Sequence, residues 1–212
     1  MHKDKIILIG GGGHCKSCID VIEQENKYEI AGILDVKENI GKNVLGYTVI
    51  GSDDDIEELS EQYRNFLITI GQIKSAEKRI SIYNRLEELN LILPVIISPL
   101  AYVSVHANIS DGTIVMHHAV VNAGAFVGSN CIINTKALVE HDAVIGNNCH
   151  ISTSAVINGE CKIGDNCFIG SNAVISNVVK VENGCIIGAG SFVPKDLKTK
   201  GTYIGNPAIN IM

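Results

Sequence analysis

From Ala101 onward the chain counts in sixes. In sixteen consecutive hexads, from Val103 to Val193, the third residue is always Val or Ile. The first residue of each hexad is Ala, Cys, Thr or Ser, with one exception at Val179. Strand side chains alternate between faces. A β-branched third residue therefore points into a narrow interior, and the small first residue fits where the chain bends. Three hexads make one triangular coil, so residues 101–196 predict about five coils of a parallel β-helix. A β-sandwich is the alternative, but its loops vary in length and break a six-residue register.

The first 97 residues follow another pattern. Lys5–Gly10 reads as a buried strand, Gly10–Gly13 as a tight glycine loop, and His14–Asn26 as a helix burying Cys18, Ile19 and Ile22. Ile30–Leu34 is a second strand ending at Asp35, about 20 residues after the glycines, which is the opening of a doubly wound fold. Tyr47–Gly51 and Asn65–Ile70 are further strands. Asp53–Gln62, capped by Ser52, and Ser75–Leu89 are further helices. The fold class expected is a Rossmann-like α/β half domain over residues 1–97, followed by an all-β left-handed parallel β-helix over residues 98–212. The boundary falls near Ser98-Pro99, and a tail beyond Leu197 carries a Gly-Asn-Pro turn at Gly205–Pro207.

A formal net charge of −6 argues against nucleic acid as a partner. No apolar run approaches the length of a membrane span, and the start lacks a signal-peptide pattern, so a cytoplasmic protein is expected. Five of the seven cysteines (Cys131, Cys149, Cys161, Cys167 and Cys185) occupy first positions of hexads and read as fillers interchangeable with Ala. Cys15 and Cys18 form a C-x-x-C without a second pair, so no metal is expected.

Two places carry chemistry. Gly10 and Gly12 match G-x-G-x-x-G, but Cys15 stands at the sixth position, and the domain is short for a complete dinucleotide fold. Amides at such a loop and helix start can hold a phosphate. Strands ending at Gly10, Asp35 and Gly71 converge on a crevice with His14 at its mouth; alternatively, the glycines only make the turn. The second place is Glu140-His141-Asp142. One coil before His141 stands Ala123 and one coil after it Gly159, so small neighbours leave space around the imidazole. A histidine beside a carboxylate suits a general base, and Gly159 can present a bare N–H to an oxyanion. A solvated turn residue is the alternative. His150 lies half a coil from His141, within reach only of a neighbouring subunit's His141. His106, His117 and His118 read as surface or subunit contacts.

These residues resemble the bacterial hexapeptide-repeat sugar acetyltransferases, which comprise UDP-4-amino-sugar N-acetyltransferases and sialic acid O-acetyltransferases. The resemblance rests on KIILIGGGGHCKS at 5–17, ILD at 33–35, ITIG at 68–71, INTKALVEHDAVIG at 133–146, HIS at 150–152, NCFIGSNAVI at 166–175, IIGAGS at 186–191 and GNPA at 205–208. It implies an acetyl-CoA-dependent acyltransferase, a homotrimer through the β-helices, and acetyl-CoA between neighbouring helices. His141 is then the base, Asp142 the acid that raises its basicity, and Gly159 the oxyanion donor. His150, Ser171 and Ala189 match acetyl-CoA contacts. Gly12, Gly13, His14, Asp35, Gly71 and Lys74 match nucleotide-sugar contacts, with Asn134 and Glu140 beside the base. The acceptor implied is a nucleotide-linked 4-amino-4,6-dideoxy sugar, with sialic acid O-acetylation or a non-catalytic sugar-nucleotide-binding scaffold as alternatives. Asp142 stands where many N-acetyltransferases have Glu and some O-acetyltransferases have Gly. Cys15 replaces a usual Gly, and Val36 replaces an acidic residue of some members.

Overall fold

A computed structural model of the chain describes residues 3–211. Met1, His2 and Met212, the ends of the expected start and tail, lie outside the described residues. The first part is a five-stranded sheet in the order β3-β4-β2-β1-β5, with β1 Asp4–Ile9, β2 Tyr28–Leu34, β3 Asn43–Val44, β4 Tyr47–Gly51 and β5 Asn65–Ile68. All pairings are parallel except the β3–β4 hairpin. The central strand β1 is apolar from Ile6 to Ile9, as a strand covered on both faces must be. Helix α1 (Gly13–Glu25) covers one face, and α2 (Ile56–Ser60) with α3 (Glu77–Glu88) covers the other. The expected helix from Asp53 opens as a 3₁₀ turn over Asp53–Asp55. A capping box, with Ser52 and Asp55 bonding each other's backbone N–H, sets its start.

The remainder is a left-handed parallel β-helix of two-residue strands separated by regular turns. The sixth residue of each described hexad from Gly112 to Gly190 has a positive φ, which explains the Asn and Gly found there. Inside, the first and third hexad residues stack into one core from Val115 to Val193. Three faces result. The docking face begins at Ile96–Ile97 and runs through Ile114–Val115, Ile132–Ile133, His150–Ile151, Phe168–Ile169 and Ile186–Ile187. The apolar face runs from Tyr102–Val103 to Phe192–Val193, and the third face from Asn108–Ile109 to Lys180–Val181. Ile96–Ile97 precedes Ser98-Pro99 yet already pairs with Ile114–Val115, so the helix begins just before those two residues. At the far end, Thr202–Ile204 and Ile209–Asn210 form a hairpin around the Gly-Asn-Pro turn, whose Asn206-Pro207 peptide is cis.

Helix α1 is packed between the sheet and the docking face. Cys15, Cys18 and Ile19 share a core with Ile96, Ile114, Met116 and Ile132. Burial raises the thiols of Cys15 and Cys18 above their ordinary range, so the C-x-x-C pair serves packing. The interior cysteines do more than fill space. Cys131 Sγ donates to Gly146 O, Cys149 Sγ to Gly164 O and Cys167 Sγ to Glu182 O, at 3.1–3.3 Å. Thr113, one coil earlier, does the same toward Gly128 O with its hydroxyl. These S–H groups satisfy corner carbonyls that alanine would leave without that donor, so Cys and Ala are not interchangeable here.

Polar contacts fix the two parts together. Arg79, 1% exposed, donates to the carbonyls of Ile68 and Ile70 and to both oxygens of Asn130. His117 bridges Ser98 Oγ at 2.6 Å and Asp20 Oδ2 at 2.7 Å, so its role is a contact between α1 and the β-helix within one chain. No described helix is long and apolar enough to cross a membrane.

Candidate active site

The crevice forms where the ends of β1, β2 and β5 meet the docking face. It encloses about 590 Å³ and is lined by Gly10, Gly12, Gly13, His14, Asp35 and Gly71 from the sheet domain, and by Asn134 and His150 from the β-helix. The glycine run is shaped by two constraints. Gly10 has φ +107°, and a Cβ on it would lie 2.4 Å from Ile70 Cγ1. Asp35 presses against Gly11, where a Cβ would lie 2.8 Å from its Oδ2. Gly12 and Gly13 instead face open space and line the crevice at the start of α1, where the first amides of a helix have no intrahelical acceptor. Asp35 Oδ2 accepts a hydrogen bond from Asn39 at 2.7 Å.

His14 stands at that helix start. Its Nε2 is buried, with no hydrogen-bond partner among the described residues. Burial is the main cause that brings its pKa down to about 3, and the neighbouring His150 and Arg79 act in the same direction. His150 is also buried, and desolvation lowers it to about 4. Its Nδ1–H donates to Gln72 O at 2.6 Å and its Nε2 accepts from Asn134 Nδ2 at 3.0 Å, which defines the tautomer. Phe168 packs edge-on to its ring. His150 thus faces the sheet domain, away from the corner that carries His141. Lys74 lies on an adjoining groove with Ser75, Ile80 and Phe168, while Lys78 lines the crevice.

His141 occupies the corner between Leu138–Val139 of the apolar face and Val144–Ile145 of the third face. That corner is opposite the docking face. Asp142 holds the left-handed turn position, φ 58°, which brings its Oδ2 within 2.9 Å of His141 Nδ1. The carboxylate raises the His141 pKa above its ordinary value, chiefly through this hydrogen bond. With Nδ1 so engaged, the ring lies flat over Gly159 of the next coil. A Cβ on Gly159 would lie 2.7 Å from it. Gly159 N–H has no partner among the described residues. Glu140 is pinned by Asn122 at 2.8 Å and accepts from the His141 N–H at 3.2 Å, so it belongs with His141 and not with the crevice. Ser171 and Ala189 stack one coil apart on the corner between the docking and apolar faces, and Ser171 Oγ contacts Ser152 Oγ at 3.1 Å.

The structure therefore places most of the expected residues in two groups, with Lys74 on the adjoining groove and Ser171 and Ala189 on a third corner. Gly12, Gly13, His14, Asp35, Gly71, Asn134 and His150 line one crevice. His141, Asp142, Gly159 and Glu140 share a distant corner. Sequence reading missed Gln72 and Lys78, which carry no motif. It also missed Gly124, where a Cβ would lie 2.3 Å from Asp142 Oδ1. Its spacing of one coil from Asp142 was the available signal.

Comparison with known proteins accords with this architecture. The PglD N-terminal domain family matches residues 5–86, and the bacterial transferase hexapeptide family (six repeats) matches residues 160–195. No curated protein matches significantly. Among solved structures, the acetyltransferase domain of PglB from Neisseria gonorrhoeae in complex with acetyl coenzyme A is 32% identical, with TM-score 0.91, over 99% of this chain and 100% of that one. A histidine-to-alanine variant of GDP-perosamine N-acetyltransferase from Caulobacter crescentus, in complex with CoA and GDP-perosamine, is 29% identical, with TM-score 0.91, over 97% and 96%. WeeI from Acinetobacter baumannii shares the fold, at 22% identity and TM-score 0.87 over 99% and 100%. The chain belongs to the bacterial hexapeptide-repeat sugar acetyltransferases, enzymes that take their acetyl group from acetyl-CoA.

Proposed function

We propose that the protein transfers an acetyl group from acetyl-CoA to the amino group of a nucleotide-linked 4-amino-4,6-dideoxy sugar. The observation that carries this is the His141–Asp142 pair, with Nδ1 engaged by the carboxylate and the ring stacked on Gly159, whose N–H has no partner among the described residues. The thioester is already activated, so no covalent enzyme intermediate is needed. The sugar amine attacks the acetyl carbonyl as His141 Nε2 takes its proton. Gly159 N–H stabilises the oxyanion. The C–S bond then breaks and CoA leaves with the proton from His141.

The nucleotide diphosphate is read into the crevice, which Gly12 and Gly13 line at the start of α1 beside His14, whose Nε2 has no partner among the described residues. A crevice opened by a glycine loop at a helix start suits phosphate and so favours a nucleotide sugar over a free sialic acid, whose O-acetylation is the competing reading. The crevice and His141 lie on opposite sides of one β-helix. A sugar held in the crevice therefore meets the His141 of another subunit. The apolar face supports such an assembly: Tyr102, Val120, Leu138, Val156, Val174 and Phe192 point outward one above another, and Tyr102 is 59% exposed. We read the active unit as a homotrimer, with His150, Ser171 and Ala189 supplied toward the donor by the neighbouring chain. The donor and acceptor are cytoplasmic metabolites, and we place the enzyme there.

The test is release of free CoA thiol from acetyl-CoA against UDP- and GDP-linked 4-amino sugars and free and CMP-linked sialic acids. Release with an amino sugar, lost by at least about 10²-fold in His141→Ala, is expected. Release with sialic acid alone would move the assignment to O-acetylation.

A further inference from the structure

Three carboxylates surround the His141 imidazole: Glu140 before it, Asp142 after it and Glu160 one coil on. The Asp142 hydrogen bond is the main cause of the raised His141 pKa, and the charges of Asp142, Glu140 and Glu160 add to it. No Lys or Arg of this corner balances them. Its fourth, fifth and sixth hexad positions hold neither residue in any coil from Ser104 to Val178.

Two of the carboxylates are committed. Asp142 Oδ2 is bonded to His141 Nδ1, and Glu140 Oε2 accepts from Asn122 and from the His141 N–H. Glu160 is exposed, and its side chain makes no hydrogen bond or ion pair among the described residues. Its backbone is fixed beside the base. Glu160 N–H donates to His141 O at 3.0 Å, and Glu160 directly follows Gly159, where the ring fills the place of a Cβ. It stands one rung, about 4.8 Å, beyond Asp142. The left-handed turn there, φ 61°, does not call for Glu; Asn fills the same position at Asn130, Asn148, Asn166 and Asn172.

A corner of this charge is a poor place for either substrate as a whole. Acetyl-CoA and a nucleotide sugar are both polyanions, and negative charge at the reacting centre repels each. The repulsion is offset if the reacting group itself arrives positive. An amine does so near neutral pH, as the amines of proteins do, whereas a sugar hydroxyl stays neutral. We propose that Glu160 binds the ammonium form of the acceptor amine and so selects an amino sugar over its hydroxyl counterpart at the His141 site. The ammonium gives one proton to bulk water past the exposed carboxylate, which frees the nitrogen lone pair. The amine then attacks the thioester carbonyl, His141 takes the second proton, and CoA leaves with it. One amide, one CoA thiol and one free proton result. This rests on the reading that an amine is acetylated at His141.

The experiment compares wild type, Glu160→Gln and Glu160→Asn. It measures kcat and KM for the UDP- or GDP-linked 4-amino-4,6-dideoxy sugar that wild type acetylates, and the inhibition constant of the same nucleotide sugar with a 4-hydroxyl. Asn suits the left-handed turn, and thermal melts check that both variants fold. Loss of the carboxylate is expected to raise KM for the amino sugar by about fivefold, with a smaller change in kcat, and to leave the inhibition constant of the hydroxyl analogue where it was. Added salt should raise KM more in wild type than in either variant, because it screens the pair. An unchanged amino-sugar KM in both variants overturns the proposal. So does an equal loss for the amine and the hydroxyl ligand, which would make Glu160 a structural residue. Wild type that acetylates no amino sugar overturns the amine reading itself, and is distinguished from those outcomes because no variant is involved.

Discussion

The imidazole of His141 occupies space that a Cβ on Gly159 would fill, 2.7 Å from Nε2 and 2.8 Å from Cε1. Gly159 lies outside the left-handed region, so alanine meets no backbone strain there. The half-exposed imidazole can swing away, and the fold survives. Gly159→Ala is therefore expected to keep its melting temperature while turnover falls by about 10² or more, because base and N–H lose their common target. Steady-state kinetics beside a thermal melt measure both. Full activity would remove Gly159 from the reaction.

The bond from His141 Nδ1 to Asp142 stabilises the protonated ring, so the pKa is raised. A base works when neutral, so activity rises with pH through that raised value. In Asp142→Asn the charge is lost and the pKa falls back toward 6.5, the value of an isolated histidine. The acid limb of kcat/KM then moves to lower pH, while the plateau drops because the weaker base transfers the proton less readily. A profile from about pH 5 to about pH 9 shows this as a sideways shift with a lower ceiling. An unmoved limb would mean that another group titrates.

The β-helix was legible in the sequence because its contacts repeat at fixed spacing. Val103 to Val193 can be placed inward by counting alone, and the same count sets Ala123 and Gly159 around His141. Gly124 against Asp142 obeys that count too, but lies one residue off the column that draws attention. Arg79, Gln72 and the Asp20–His117 bridge follow no period. Each joins the α/β domain to the β-helix across at least 51 residues of chain, and such contacts depend on how two surfaces meet. The burial of His150 is illegible for the same reason. Its hexad position is outward, and only the docked sheet domain buries it. The helix starts and ends shifted by one or two residues, since caps such as Ser52–Asp55 compete closely with the next turn.

Arg79 has no carboxylate partner among the described residues and is held by carbonyl oxygens from both parts of the chain. Burial lowers its pKa to about 10, still far above neutrality, so it remains charged. Arg79→Met removes donors from Ile68, Ile70 and Asn130 together. Each buried acceptor left bare costs about 1–3 kcal/mol, so a total loss of about 3 kcal/mol or more is expected. Arg79→Lys should recover only part of it, since one ammonium cannot span both sites. Urea unfolding of the three proteins gives the order wild type, Lys, Met. Equal midpoints for wild type and Met would refute the role of Arg79 in joining the two parts.

His14 and His150 should make the fold acid-labile. Their folded values are about 3 and about 4, against 6.5 for an isolated ring. Between these limits the unfolded chain binds protons that the native protein refuses. Stability is thus unaffected by these groups above pH 6.5 and falls as pH drops below it. Each histidine contributes a slope of about 1.4 kcal/mol per pH unit, so the pair gives about 2.7 kcal/mol per unit until the folded rings titrate. His14→Asn removes one of the two, and the slope of stability against pH should be roughly halved. Urea midpoints at about pH 7, about pH 5.5 and about pH 4.5 measure it. Wild-type stability that stays flat through this window would mean that both imidazoles are free to protonate in the native protein, and that the crevice presents cations to the sugar diphosphate.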